Sequence, residues 1–139
     1  SSHGAEIAVC APSSGFPGRW ITTIDVTGTY TDAFGVVRDR GEPGDYTHGF
    51  GGTSSACPLV AGVCALVLSA NPDLSAAEVR GIIRDTARQI GPPDDYTDGH
   101  SRHFGHGCVH AEAAVVEANG RREFLIARSH ETAGPPGQG

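Results

Sequence analysis

The distribution of apolar and polar residues predicts two successive helices of different character in the middle of the chain. The first, from Ser54 to about Ala70, is apolar on nearly every face, so it is expected to be fully buried. Residues 71–73, Asn-Pro-Asp, end it. In the second helix the apolar positions recur on one side only: Val79, Ile82, Ile83, Ala87 and Ile90. This stripe predicts an amphipathic surface helix that packs on the first one.

The second helix also carries local signals for its own beginning. Ser75 and Glu78 have the spacing of a capping box, in which each residue satisfies an N–H group of the other. Leu74 and Val79 flank the box at the positions of a hydrophobic staple. These four residues predict that the helix starts just after Ser75.

Two segments before the first helix have the composition of β-strands. Residues 5–11 are mostly apolar, as in an interior parallel strand, and residues 20–26 are rich in β-branched side chains. The polar, glycine-containing stretch 27–48 is expected to be a surface connection. Strands followed by two packed helices predict an α/β fold.

The C-terminal part is expected to end the domain. A last short helix is predicted at residues 111–118, capped by His110 and stopped by Gly120. Residues 121–128 could add an edge strand, and the Gly/Pro-rich residues 129–139 are expected to be disordered. We therefore predict a domain at residues 1–120 and an extension at residues 121–139.

Composition and charge narrow the range of partners. The 139 residues suffice for one domain, and the net charge of -6 argues against a nucleic acid or an anionic membrane as partner. The longest apolar run, residues 59–68, is too short to span a bilayer, and no signal peptide is visible. Cys57 and Cys64 lie seven positions apart on one predicted helix, about 10 Å, which is too far for a disulfide. The four cysteines are thus expected to be free thiols, and the compartment stays open.

The candidate chemistry lies where the first helix begins. Gly51, Gly52 and Thr53 lead into Ser54, which is followed by Ser55. Free N–H groups at a helix start bind anions. A serine placed there can therefore act as a nucleophile, while the site around it stabilises the oxyanion that develops. The alternative is that Ser54 only caps the helix through its side chain.

This segment resembles the serine block of the subtilisin-like serine proteases, Gly-Thr-Ser-x-Ala-x-Pro. The matching residues are Gly52, Thr53, Ser54, Ala56 and Pro58. Residues 55–56 and 70–72 are somewhat closer to the kexin-like branch. Residues 2–12 and 104–111 resemble two further family blocks, although Phe104 replaces a tyrosine and His110 an asparagine.

The resemblance implies a partial subtilisin-like α/β fold and a serine endopeptidase that forms an acyl-enzyme on Ser54. Gly51, Gly52, Thr53 and Ser55 would shape the oxyanion region and the substrate cleft. The family's aspartate and histidine blocks do not occur in these 139 residues, and both asparagines follow Ser54. The chain thus resembles only the C-terminal portion of a catalytic domain. We expect it to need the N-terminal half as partner, and to be inactive and unstable or oligomeric alone.

Several alternatives remain at this point. The chain could be a non-catalytic remnant or interaction module on the same scaffold. Asp45 and His48 could form a local triad with Ser54, which nothing in the family pattern supports. A metal-type cluster, His100, His103, His106, Cys108 and His110, lacks a common zinc spacing. No cofactor is identifiable; structural calcium is possible in the family, with Asp94, Asp95 and Asp98 as the nearest candidates. Family members act on peptides and are commonly secreted.

Overall fold

The computed structural model describes residues 3–14, 18, 20–24, 28–31, 33–39 and 46–132. The chain divides into two compact units. The first contains residues 1 and 12–58, and the second contains residues 2–11 and 59–139. The candidate serine and the turn that precedes it belong to the first unit.

The first unit contains two antiparallel strand pairs. β1 (Ile21–Ile24) pairs with β4 (Tyr46–Phe50), and β2 (Thr29–Thr31) pairs with β3 (Val37–Asp39). In the described residues, β1 confirms the strand expected within residues 20–26, and its neighbour is antiparallel. Parallel neighbours need a crossover connection, whereas β1 and β4 are joined by the β2–β3 hairpin, which reverses the chain. The stretch predicted as a plain connection is largely this hairpin.

Helix α1 (Thr53–Ala70) and helix α2 (Ala76–Asp85) confirm the two central helices. In the second unit, the apolar core joins α1 residues to α2 and to the C-terminal helix. Its buried members are Val63, Val67, Val79, Ile82, Ile83, Ala114 and Ala118. Because only one side of α1 takes part in this core, the helix is not enclosed.

The prediction that α1 is fully buried is wrong for this chain. Leu59, Leu66 and Leu68 are 43%, 54% and 41% exposed. These side chains take no part in the buried core, so water contacts a broad apolar surface. By length and composition alone α1 could cross a membrane, a property that core helices of water-soluble proteins share.

The start of α2 confirms the predicted capping box. The Glu78 N–H donates to Ser75 Oγ at 3.3 Å, and the Ser75 N–H donates to Glu78 Oε2 at 2.8 Å. Val79, Ile82 and Ile83 form the buried side of the helix. The helix ends at Asp85, so Ala87, which was predicted to extend the stripe, lies beyond it.

Helix α3 (Ala111–Thr132) corrects the prediction of a helix stopped at Gly120 and a strand beyond it. His110 caps its start as expected: its ring Nδ1 accepts the Ala113 N–H at 3.2 Å. A glycine costs about 1 kcal/mol inside a helix. Interactions on both sides of Gly120 offset that cost, since Arg121 pairs with Glu117 at 2.8 Å and Arg122 donates to the Ala70 carbonyl at 3.3 Å. Residues 133–139 lie outside the described residues.

The predicted strand at residues 5–11 is reduced to single bridges in the second unit. Val9 pairs with Gly105 and Cys10 with Cys108. Nearby, β5 (Tyr96–Thr97) and β6 (His100–Ser101) form a short antiparallel pair after a turn of 3-10 helix at Pro93–Asp95.

Candidate active site

A tight turn joins β4 to α1 and ends on a glycine in the left-handed region. Gly52 has φ +74°, a conformation that costs other residues about 1–2 kcal/mol. Apart from its two chain neighbours, no heavy atom of the described residues lies within 4 Å of the position a Cβ would take there. The glycine is therefore required by the backbone conformation and not by crowding.

The carbonyl of Gly52 is the fixed point of this turn. It accepts the N–H groups of Ser55 and Ala56 at 3.2 and 3.3 Å, so it makes the first hydrogen bonds of α1. The hydroxyls of Ser55 and Ser13 also donate to it, at 3.0 and 2.6 Å. On the other side, the Gly52 N–H donates to Ser14 Oγ at 3.2 Å. Three serine hydroxyls thus hold the two peptide units on either side of the Gly52 Cα in place.

Ser54 is the second residue of α1, and its side chain is exposed. The N–H groups of Thr53 and Ser54 precede the first helical hydrogen bond, so the helix itself does not use them. Among the described residues, no group forms a hydrogen bond with Ser54 Oγ. The structure therefore presents an accessible hydroxyl beside free N–H donors at the positive end of a helix dipole.

Ser55 differs from its exposed neighbour. Its side chain is 2% exposed, and its hydroxyl lies 2.7 Å from Ser13 Oγ. Because its side chain points into the protein, Ser55 can shape the expected substrate cleft by holding the Gly52 carbonyl. Sequence reasoning missed Ser13 and Ser14, which lie about 40 positions before this turn and carry no local signal.

Gly51 lies against neighbouring side chains of the first unit. A Cβ on Gly51 would lie 2.5 Å from Ser14 Oγ and 3.1 Å from Trp20 Cε3. The space beside Gly51 on this side is thus filled by the protein. This glycine allows segment 13–14 and Trp20 to pack against the turn.

The geometry gives no support to the alternative of a local triad of Asp45, His48 and Ser54. His48 Nδ1 forms a hydrogen bond with Thr22 Oγ1 at 2.9 Å across the β1–β4 pair. Asp45 lies outside the described residues. In the part of the chain that the structure describes, His48 forms no hydrogen bond with Ser54.

The histidine-rich segment contains pairs of histidine rings. The rings of His100 and His106 lie 5.1 Å apart, and those of His3 and His103 lie 5.3 Å apart. Burial lowers the pKa of His106, and the charge of Arg84 adds to this effect. In the described ranges, no three histidine, cysteine, aspartate or glutamate side chains converge to hold a metal ion. This includes the predicted calcium candidates at positions 94, 95 and 98.

Comparison with known proteins identifies the scaffold. The sequence profile of the subtilase family, peptidase S8, matches residues 2–107. The chain belongs to the subtilase family. This confirms the resemblance drawn from the serine block and places Ser54 within the matched region.

Individual subtilases are similar in sequence to this chain. The chain is 45% identical over 122 residues to a calcium-dependent protease of Trichormus variabilis, covering 83% of this chain and 18% of that protein. It is 48% identical over 65 residues to the halolysin-like extracellular serine protease Nep of Natrialba magadii, covering 47% of this chain and 11% of that protein. The chain thus spans less than a fifth of the length of these two subtilases.

A solved subtilase shares the fold. The crystal structure of fervidolysin from Fervidobacterium pennivorans, a keratinolytic enzyme related to subtilisin, matches with a TM-score of 0.59 and 27% identity. The match covers 84% of this chain and 16% of fervidolysin. Together with the mixture of helices and strands described above, it confirms a partial α/β subtilisin-like fold. The roles assigned to Ser54, Gly51, Gly52, Thr53 and Ser55 stay predictions.

Proposed function

We propose that this chain is the nucleophile-bearing portion of a subtilisin-like serine endopeptidase. The observation that carries the proposal is the placement of Ser54: exposed, in the first turn of α1, directly after a left-handed glycine. In the proposed reaction Ser54 Oγ attacks the scissile carbonyl of a peptide and forms an acyl-enzyme.

The chain supplies part of the machinery for this step. The Ser54 N–H, at the positive end of α1, is positioned to stabilise the oxyanion that develops in the transition state. Ser13, Ser14 and Ser55 fix the peptide units on either side of Gly52, so the N–H groups that follow keep their direction. A preformed donor of this kind lowers the barrier because it needs no reorganisation during the reaction.

The base and its orienting acid are proposed to come from residues outside this chain. A serine hydroxyl is a poor nucleophile until a histidine accepts its proton. His48 Nδ1 forms a hydrogen bond with Thr22 Oγ1, and in the described part of the chain no histidine forms a hydrogen bond with Ser54. We therefore expect the chain alone to be inactive.

The remainder of the catalytic domain is also the proposed partner of α1. The exposed side chains of Leu59, Leu66 and Leu68 form an apolar surface of the kind that a core helix normally buries. Burying such leucines contributes about 1.5–3 kcal/mol each when complete. Without that cover the chain is expected to be unstable or to self-associate.

Further assignments follow from relatives and are proposals for this protein. Peptides or proteins are the proposed substrates, and an extracytoplasmic location is proposed because one relative is named as extracellular. Structural calcium is proposed for the complete domain, because another relative is named as a calcium-dependent protease.

A fluorophosphonate probe on the longest natural gene product that contains this chain tests the proposal. The probe reacts with activated serines, so the wild-type product and a Ser69→Ala variant, which changes another exposed serine of α1, should be labelled equally. Ser54→Ala should remove the labelling. Equal labelling of Ser54→Ala, or absence of labelling from a folded wild-type product, would refute the proposal and favour the non-catalytic scaffold.

A further inference from the structure

Two cysteines from distant parts of the sequence lie directly opposite each other in the second unit. Cys10 and Cys108 form a parallel bridge. The Cys10 N–H donates to the Gly107 carbonyl at 2.9 Å, and the Val109 N–H donates to the Cys10 carbonyl at 2.9 Å. These two bonds flank Cys108 on either side, so the two cysteines are in register.

On its other side, Cys108 forms a bridge with Arg88. The Cys108 N–H donates to the Arg88 carbonyl at 2.8 Å, and the Cys108 carbonyl accepts the Arg88 N–H at 2.9 Å. Gly105 and Gly107 let the backbones approach closely: a Cβ on Gly105 would lie 2.7 Å from the Ile7 carbonyl oxygen, and one on Gly107 would lie 2.8 Å from Gln89 N. The close approach of the three segments depends on these glycines.

This arrangement meets the first requirement of a disulfide. Adjacent strands lie about 4.8 Å apart, within the range of roughly 4.4–6.8 Å between Cα atoms that a disulfide spans. Side chains of paired residues also project to the same side of a ladder. Both cysteines are partly exposed, so a small reagent can reach them.

We propose that Cys10 and Cys108 form a redox-sensitive pair that closes to a disulfide. The structure holds both as free thiols. The oxidant is a small-molecule disulfide such as oxidised glutathione. The thiolate of one cysteine attacks it, forming a mixed disulfide and releasing one glutathione thiol; the second thiolate then displaces the other glutathione. Two cysteine thiols lose two electrons and two protons, and one glutathione disulfide becomes two thiols.

The environment of Cys10 sets the pH dependence of this exchange. Burial raises the pKa of the Cys10 thiol, and its electrostatic interaction with Cys108 raises it further. Since the thiolate is the attacking form, closure should be faster at higher pH.

The disulfide would tie the N-terminal segment to the C-terminal half of the unit. Backbone bonds hold residues 3–11 at few points, among them the Gly4 N–H to the Arg102 carbonyl at 2.9 Å. A cross-link that closes a loop of about 100 residues restricts the unfolded chain strongly. Oxidation should therefore raise the midpoint of thermal unfolding by several degrees, about 5 °C or more.

Peptide mapping tests the pairing. The longest natural gene product that contains this chain is incubated with oxidised glutathione in native buffer or in concentrated guanidinium chloride, alkylated, and cleaved with trypsin. All ten Lys and Arg positions of this chain are arginines, so Cys10 falls in the peptide that contains residues 1–19, Cys57 and Cys64 in peptide 41–80, and Cys108 in peptide 103–121. In native buffer the link between peptides 1–19 and 103–121 should exceed other links at least about tenfold, because pairing raises the effective concentration of the thiols. Guanidinium should remove the excess.

The control is the Cys57→Ser/Cys64→Ser double variant, which should keep the link, whereas Cys10→Ser should lose it. No enrichment of the link in native buffer over guanidinium, or a preferred link to peptide 41–80, would overturn the proposal.

Discussion

Adjacent glycines of the turn before α1 should respond differently to the same substitution. In Gly51→Ala the new Cβ meets Ser14 at 2.5 Å and Trp20 at 3.1 Å. Overpacking of this kind costs about 1–3 kcal/mol. Displacement of Ser14 also breaks its hydrogen bond to the Gly52 N–H, which adds about 1 kcal/mol.

Gly52→Ala meets no neighbour within 4 Å and has only the cost of its left-handed backbone. That cost of about 1–2 kcal/mol is partly offset by about 0.4–1 kcal/mol, because alanine restricts the unfolded chain. The same offset applies to Gly51→Ala. We therefore expect a loss of about 1–4 kcal/mol in the free energy of unfolding for Gly51→Ala and a smaller loss of about 0–2 kcal/mol for Gly52→Ala.

Urea unfolding followed by the fluorescence of Trp20, the sole tryptophan of the chain, measures both losses at one fixed protein concentration. The native emission spectrum should shift in Gly51→Ala, because Trp20 contacts the new methyl group, and should stay unchanged in Gly52→Ala. A larger loss for Gly52→Ala, or equal losses with unchanged spectra, would refute the assignment of the two glycines to packing and to backbone conformation.

Four other substitutions test the helices. Ile82→Ala, at a fully buried position, should lower the free energy of unfolding by about 2–5 kcal/mol in a urea titration, whereas exposed Leu66→Ala should change it by less than 1 kcal/mol. Leu66→Glu should reduce self-association measured by sedimentation, since a charge on the exposed face of α1 opposes burial of that face between chains. Unchanged self-association would mean that another surface forms the contact. Hydrogen bonds from the side chain and N–H of Ser75 lower the pKa of Glu78 below its ordinary 4.5. The ionised carboxylate therefore stabilises the fold above pH 4.5, and this effect is lost as the pH falls through the lower pKa of the folded state. Glu78→Gln should flatten this acid dependence in thermal melts, and an unchanged dependence would contradict the assignment.

Features encoded within a few residues were predictable from the sequence. The capping box of α2 depends on Ser75 and Glu78 alone, and the turn before α1 on a fixed series of small residues. Both are therefore found where the sequence placed them. The family resemblance rests on the same kind of short, specific signal.

Features that depend on distant residues were not predictable. The serines at positions 13 and 14 reach the backbone of Gly52 only through the fold, and β1 pairs antiparallel because its partner returns through a hairpin. Helix α3 continues through Gly120, where Arg121 pairs with Glu117 and Arg122 donates to the end of α1. Only in α3 does the structure override a local preference, whereas the contacts of Ser13 and Ser14 have no local signal.

The most direct test of the claim that Ser54 is the nucleophile is to locate the covalent adduct. After reaction of the longest natural product with a fluorophosphonate, tryptic peptide 41–80 should carry one phosphonyl group. Fragment ions should place it on Ser54 and leave Ser55 unmodified. An adduct on another serine of an active product, or none at all, would contradict the account.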